Sequence, residues 1–459
     1  MVTEEKAATD YMEQLVQYMV EAKIRDLPPE VAQRGKHHLL DTFAAMVSGT
    51  ELEPGKLAIN YVRGAGGTPE ATVVGSDLKT SVVNAALANG MLAHADETDD
   101  SNPSGLHPGC AILPAALAMA EQQGASGRAL LNGFVLGYDV GCRTMHALGR
   151  EPNGELRRFS EKGVGGVFGA AAAASAFLDL STVQLRHMFG YAGQQASGMR
   201  SYLTDESHVE KAFAFGGMPA RNGVTAATMV QAGLTGEWDV FQGPYFNFLD
   251  TFSSHPEPSE LTRDLGSRFE VMLTRIKKDC VGSPIQAPAE ALRSLIGEYR
   301  LTAANVTSID VKASPSSVDT ANDRSMPDVN MQYILAVLLA DGQLTFKAAH
   351  DYERMNHPQI LELRQRVNLH RDSTISRGTQ AIVEVTTRDG KVLRHQPSAV
   401  RGTPENPMTT EEVAWKAMDL MAPILGDQVA REVISTVRDI ESLSDVRRLT
   451  SLVQRGKGA

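Results

Sequence analysis

The sequence predicts a mainly α protein, with a large all-helical domain and a smaller α+β domain. Three observations carry this. Alanine- and leucine-rich runs with helical spacing fill the first 265 residues, β-rich runs are confined to about 266–400, and helical patterning returns after Pro407. The expected organisation is therefore a helical domain made of residues 1–265 and 401–459, with the α+β domain at 266–400.

Taken in order, residues 10–24 (DYMEQLVQYMVEAKI) place apolar side chains at three- and four-residue steps. Pro28 and Pro29 suit the first turn of a second helix over residues 31–46, which SGTELEPG ends. Residues 82–93, 111–122 and 129–139 are apolar on most faces, the pattern of helices buried in an all-α core. Residues 163–177 (GVGGVFGAAAAASAF) read as a glycine-rich entry into a tightly packed alanine helix. They miss the G-x-G-x-x-G spacing, and no β-rich run precedes them. RFEVMLTRI, residues 268–276, alternates enough for a strand, and SIDVKAS sets Ile309 and Val311 on one face of another. AIVEVTTRDGKVLRHQP reads as a hairpin turning at Asp389-Gly390. Residues 328–341 are helical. Thr409 or Thr410 caps the helix that follows, and a last helix starts near Asp427.

At 459 residues the chain exceeds what one core sustains, and 42% hydrophobic with 22% charged residues is a globular composition. A net charge of −11 argues against nucleic acid, whose phosphates need a basic face. Three widely spaced cysteines, Cys110, Cys142 and Cys280, suit neither a disulfide framework nor a zinc site. The N-terminal stretch has no basic region followed by an apolar run, and no apolar run reaches the roughly 18 residues of a membrane span. The expectation is a cytoplasmic protein with no membrane partner.

The densest chemical signal is residues 94–107, HADETDDSNPSGLH, which spends four carboxylates and two histidines on one short connection. Such carboxylates repel unless they bind a cation or a polar ligand, or cap helices. The D-x-D-x-D-G pattern of an EF-hand is missing, so a Mg²⁺- or Mn²⁺-type site and a solvated loop with caps at both ends both remain open. No phosphate-binding G-x-x-x-x-G-K-[ST] loop occurs. Lys211 lies among phenylalanines and glycines in HVEKAFAFGGMPARNG, where an apolar setting equips a lysine to hold an anion. Lys277 and Lys278 precede Cys280, and on a strand at most one of them points inward. Cys280 has no local signature of a nucleophile.

With HADETDDSNPSGLHPGCAILPA, GVFGAAAAAS, KAFAFGGMPARNG and IKKDCVGSPIQAPAEAL in this order, nearly the whole chain resembles the MmgE/PrpD family. That family includes 2-methylcitrate dehydratase, cis-aconitate decarboxylase and iminodisuccinate epimerase. The resemblance implies a helical domain with an α+β lid, a homodimer, an active site in the interdomain cleft and, for the decarboxylase and epimerase members, no required cofactor; no metal-binding residue is expected. It puts Glu97 and Asp99 at the family's acidic positions, Ser101 where threonine is usual, and His107 at the histidine. Lys277 matches the lysine opening the lid segment. Lys211 matches the mid-chain lysine only with one residue inserted before Arg221-Asn222-Gly223. Three positions depart from the decarboxylase pattern: Ser160 and Gly282 replace histidines, and no tyrosine stands near Ser316.

The family's shared chemistry breaks or makes a bond next to a carboxylate, which requires carboxylate anchors and a group that moves a proton. On that basis His107, Lys211, Lys277 and Asp99 are the expected catalytic residues: His107 as proton shuttle, the lysines as anchors, Asp99 orienting His107. Glu97, Ser101, Arg221 and His94 are the expected substrate contacts. The predicted activity is a dehydratase-type lyase on a small di- or tricarboxylate. The alternatives are a cofactor-independent epimerase and a non-catalytic carboxylate binder.

Overall fold

The computed structural model describes residues 10–149, 157–375 and 378–454. The first nine residues of the stretch read for a leader fall outside them. The chain divides into two compact units, one of residues 1–95, 101–274 and 428–459, the other of residues 96–100 and 275–427. The mainly α class is as the sequence predicts, a large helical unit and a smaller one with a mixed sheet.

In the helical unit, α1 (Tyr11–Ala22), α2 (Pro29–Gly49) and α3 (Glu53–Ala65) lead to a two-stranded ribbon of β1 (Ala71–Thr72) and β2 (Lys79–Thr80). Then come α4 (Val82–Ala93), α5 (Pro108–Gln123), α6 (Gly127–Ala147), α7 (Glu161–Ser175) and α8 (Thr182–Gln195). Short α9 (Val209–Ala212) runs through a π-helical turn, Phe213–Gly217, into α10 (Met218–Gln231), and α11 (Phe248–Phe252) and α12 (Glu270–Leu273) follow. The glycine-rich α7 packs against α5, α6, α8 and α10. A Cβ on Gly169 would stand 2.8 Å from the Gly137 carbonyl oxygen, so these glycines serve close helix packing, as read from sequence. The core is built from alanines of α7 and α10 with Phe168, Phe189, Phe241 and Phe248.

The strand expected at 268–276 is not formed. Val271 and Glu270 are both buried, so burial does not alternate, and α12 takes their place. Glu270 donates its backbone N–H to Asp139 Oδ1 at 2.7 Å, and its carboxylate meets Arg268 at 2.7 Å and His146 at 3.3 Å. A buried carboxylate with this many partners outweighs local β propensity.

In the second unit, α13 (Ser283–Tyr299) leads to β3 (Val306–Ala313). The connection onward carries α14 (Pro315–Ala321), α15 (Met331–Asp341), α16 (Phe346–Ala349), α17 (Tyr352–Met355) and α18 (Pro358–Arg364). β4 (Val367–Arg371), β5 (Ala381–Thr387) and β6 (Val392–His395) complete a sheet in the order β4-β3-β5-β6. β3 and β4 are parallel, and the β5–β6 hairpin turns at Gly390, whose φ of +84° favours glycine. Ile309 and Val311 are buried on one face, as predicted, in the same apolar core as α15. β4 escaped the sequence reading because VNLHR is a polar, largely exposed edge strand. α19 (Thr410–Leu425) starts in a capping box of Thr409 and Glu412. The helices α20 (Asp427–Arg438) and α21 (Arg447–Leu452) close the chain. Among the described residues no helix is long and apolar enough to cross a membrane.

Candidate active site

Chain order places His94 at the C-cap of α4 and His107 at the N-cap of α5, where Pro108 opens the helix. In the helical unit both rings gather on Phe215 of the π-helical turn. His94 stacks on it, centroids 4.3 Å apart and planes 15° apart, while His107 meets it edge-on at 5.3 Å. His107 also meets His94 edge-on at 5.5 Å, and a third ring, His208, lies 5.1 Å from His94. All three histidines are buried. The ammonium groups of Lys211 and Lys162 stand 5.3 and 5.4 Å from the Phe215 centroid, a cation–π arrangement that brings two positive charges to the ring the imidazoles share. Tyr202 packs edge-on against the same ring at 4.9 Å, and burial raises its hydroxyl above the ordinary tyrosine range.

Two local features hold this arrangement. α4 and the π-helical turn touch backbone to backbone: a Cβ on Gly90 would lie 2.4 Å from the Gly216 carbonyl oxygen. On the approach to α9, Asp205 accepts the Lys211 backbone N–H at 3.1 Å, and His208 takes a left-handed conformation, φ +62°.

In the second unit, residues 96–100 form a buried acidic loop held by cations. Lys277 Nζ donates to the Glu97 carbonyl at 2.7 Å and lies 3.4 Å from the Glu97 carboxylate and 3.7 Å from Asp99 Oδ1. Lys416 Nζ donates to the carbonyls of Thr98, at 3.0 Å, and Lys277, at 2.7 Å. Asp96 accepts the Thr98 N–H at 3.0 Å and its hydroxyl at 2.6 Å, and pairs with His350 Nε2 at 2.9 Å. The second carboxylate facing His350 is Asp328, at 3.8 Å. Burial works against a charged His350, but Asp96 and Asp328 outweigh it and hold the imidazole at about 9. Asp96 stays below the usual carboxylate range for the reciprocal reason, burial being overcome by its bond to His350. Cationic side chains thus stand against three of the loop's carboxylates, Lys277 against Glu97 and Asp99 and His350 against Asp96.

The structure therefore brings His94, His107 and Lys211 together, and separately joins Glu97 and Asp99 to Lys277. Ser101 is buried at the end of the loop. Arg221 is directed elsewhere: its Nε donates to Asn222 Oδ1 at 3.1 Å and its guanidinium lies over Phe213, 5.6 Å from the centroid. Lys277 is buried and Lys278 half-buried, although the residues lie in irregular backbone and not on a strand. Cys280 is buried, and burial pushes its thiol well above the usual range, the setting of an inert cysteine. Ser160 caps α7 and Gly282 caps α13, its N–H donating to the Asp328 carbonyl at 2.9 Å. Sequence reasoning missed His208, His350, Lys162 and Lys416. Lys416 looked like an exposed lysine of an amphipathic helix and is 1% exposed; the histidines carry no local motif.

The MmgE/PrpD N-terminal domain matches residues 13–261, and the MmgE/PrpD C-terminal domain matches residues 280–442. Human cis-aconitate decarboxylase is 26% identical, over 94% of this chain and 92% of its own length. The cis-aconitate decarboxylase-like protein oryM of Aspergillus oryzae is 26% identical over 98% and 99%, and cis-aconitate decarboxylase of Aspergillus terreus 24% over 93% and 92%. The chain belongs to the MmgE/PrpD family.

Proposed function

We propose that this MmgE/PrpD-family chain is a lyase acting next to a carboxylate of a small di- or tricarboxylic acid, by dehydratase-type elimination and without an added cofactor. The observation that carries the proposal is the group on Phe215, where buried imidazoles that can move a proton sit beside two ammonium groups that can hold carboxylates. His107 is the base that removes the proton adjacent to the carboxylate, because imidazole is the side chain best suited to take up and release a proton near neutrality. Lys211 anchors a substrate carboxylate and offsets the carbanion-like charge, and Lys162 adds a second cation at the same ring. His94 and Ser101 complete the substrate contacts. Glu97 and Asp99 enter through Lys277, which ties them into a fixed loop; Arg221 contributes more remotely.

The relatives named as decarboxylases support a lyase class. Elimination is preferred to decarboxylation because serine and glycine stand where the decarboxylase pattern has histidines, at Ser160 and Gly282, and neither titrates near neutrality. A cytoplasmic homodimer is part of the same proposal. Epimerisation is the second reading, favoured by the presence of more than one imidazole in the group, since inversion at carbon uses two proton-transfer groups.

Proton NMR in D₂O on citrate-like, aconitate-like and aspartate-derived acids, with a chelator present, tests the proposal. Elimination gives an unsaturated product, epimerisation exchanges the α-hydrogen without net loss, and a binder does neither. His107→Ala is expected to lower turnover by about 10²–10⁴-fold; full turnover in that variant removes His107 from the mechanism.

A further inference from the structure

Dehydration needs a second proton-active group. The base takes the proton from carbon, but hydroxide is a poor leaving group unless a proton is delivered to its oxygen as the C–O bond breaks. The sequence names no residue for that step. Two buried side chains of the Phe215 group bear a suitable proton, Tyr202 and His208. The Tyr202 hydroxyl hydrogen-bonds with Ser160 and is held in the un-ionised range by burial.

Both are equally buried, but His208 differs in two ways. It contacts the ring of His94 at 5.1 Å with planes tilted by 40°, and it opens the helix that carries Lys211. Its left-handed backbone, φ +62°, is uncommon for a residue with a side chain, and its carbonyl accepts the first helical bond, from the Ala212 N–H at 3.0 Å. Such conformations persist where the surrounding structure over-determines them, and they concentrate at ligand and catalytic sites. One face of the His94 ring is taken by Phe215. His107 meets His94 at 80° and His208 meets it at 40°, so two proton-active rings are held by one central ring in different orientations.

We propose that His208 is a further catalytic residue, the acid that protonates the departing hydroxyl of a hydroxy-carboxylate substrate; this rests on the elimination reading above. In the step, neutral His107 takes the proton from the carbon next to the carboxylate and the C–H electron pair becomes the C=C bond. The C–O bond breaks with its electrons on oxygen, and protonated His208 supplies the proton that makes water. The cycle leaves His107 protonated and His208 neutral. His107 then gives its proton to water and His208 takes one from water, so the cycle closes with solvent alone and no other co-reactant is required.

The test uses the full-length protein with citrate, isocitrate and 2-methylcitrate, and with the analogue of each in which chloride replaces the hydroxyl. Chloride leaves without protonation. His208→Asn is the variant of choice, because asparagine tolerates the left-handed backbone; His208→Gln is its companion. The expected result is a loss of at least about 100-fold in dehydration, with chloride elimination within about threefold of wild type. His107→Ala should lose both reactions. Dehydration within threefold of wild type in both variants overturns the assignment. Equal loss of dehydration and chloride elimination in variants with the wild-type circular dichroism spectrum and melting temperature also overturns it, since a positioning fault would slow both. A wild type that dehydrates none of the three acids refutes the elimination reading itself, and the assignment falls with it.

Discussion

Replacing Lys277 by methionine should destabilise the second unit severely. The ammonium lies 3.4 Å from the Glu97 carboxylate and 3.7 Å from Asp99, and all three side chains are buried. At an effective dielectric constant of about 20 these separations correspond to roughly 5 and 4.5 kcal/mol of attraction. Desolvating the ammonium costs several kcal/mol, so the intact group contributes little net stability. Removing the lysine alone is a different matter. Two buried carboxylates then lose the cation set between them, and removing one partner of a buried pair costs about 3–5 kcal/mol.

The chain carries two tryptophans, Trp238 in the helical unit and Trp415 in the second, so Trp238→Phe leaves Trp415 as a fluorescence reporter of the second unit. In that background, with a urea dependence of about 2 kcal/mol per molar, the midpoint should fall by about 1.5–2.5 M. Adding Glu97→Gln and Asp99→Asn should recover more than half of the loss, because the stranded charges are gone. A midpoint within about 0.3 M of the parent for Lys277→Met would show that the acidic loop is not held by this lysine.

The remaining predictions concern pH, packing and catalysis. His350 is held at about 9, above its ordinary 6.5, so its contribution is complete below pH 6.5 and is lost as pH rises through 9. At about 1.4 kcal/mol per pH unit this is about 3 kcal/mol, read at Trp415 by urea titrations at pH 6.5 and 9.5, and His350→Gln should flatten the difference. Asp96, held low by the same pair, contributes above the ordinary carboxylate range and loses that contribution in acid. Gly90→Ala drives a methyl group to 2.4 Å from the Gly216 carbonyl and should lower the melting temperature by at least about 5 °C, with loss of turnover as the Phe215 turn is displaced. Gly64→Ala, with nothing within 4 Å of the new methyl group, is the control and should be neutral or stabilising in differential scanning calorimetry. Lys211→Met should raise KM and lower kcat together, since the ammonium is assigned to both binding and charge stabilisation.

Periodicity made the helical unit readable, because its buried helices repeat alanine and leucine over many turns, and short capped segments such as Thr409 with Glu412 announce themselves. It failed at residues 268–276, where buried Glu270 is held by Arg268 and also by Asp139 and His146, two partners that no local window contains. The acidic loop was visible as an anomaly of composition, but its counter-ions were not. Lys277 stood out only as a lysine near a strand-like run, and its bond to Glu97 spans 180 residues. His350 and Lys416 sit in unremarkable helical contexts, and only tertiary burial separates them from surface residues. His208 escaped because a left-handed histidine before a four-residue helix has no sequence signature.

The π-helical turn at Phe213–Gly217 also bears on how the chain compares with its family. The resemblance placed one surplus residue between Lys211 and Arg221, and a turn with wider hydrogen bonding absorbs one surplus residue inside a continuous helix rather than in a loop. Each helical residue advances about 100° and 1.5 Å. With a surplus residue taken up in this wider turn, Lys211 keeps about the bearing relative to Arg221 that one residue fewer would give it in plain α-helix. In an unbroken α-helix the same extra residue would instead swing it by about a quarter turn, so the turn lets the spacing in sequence change while the direction of the side chain does not.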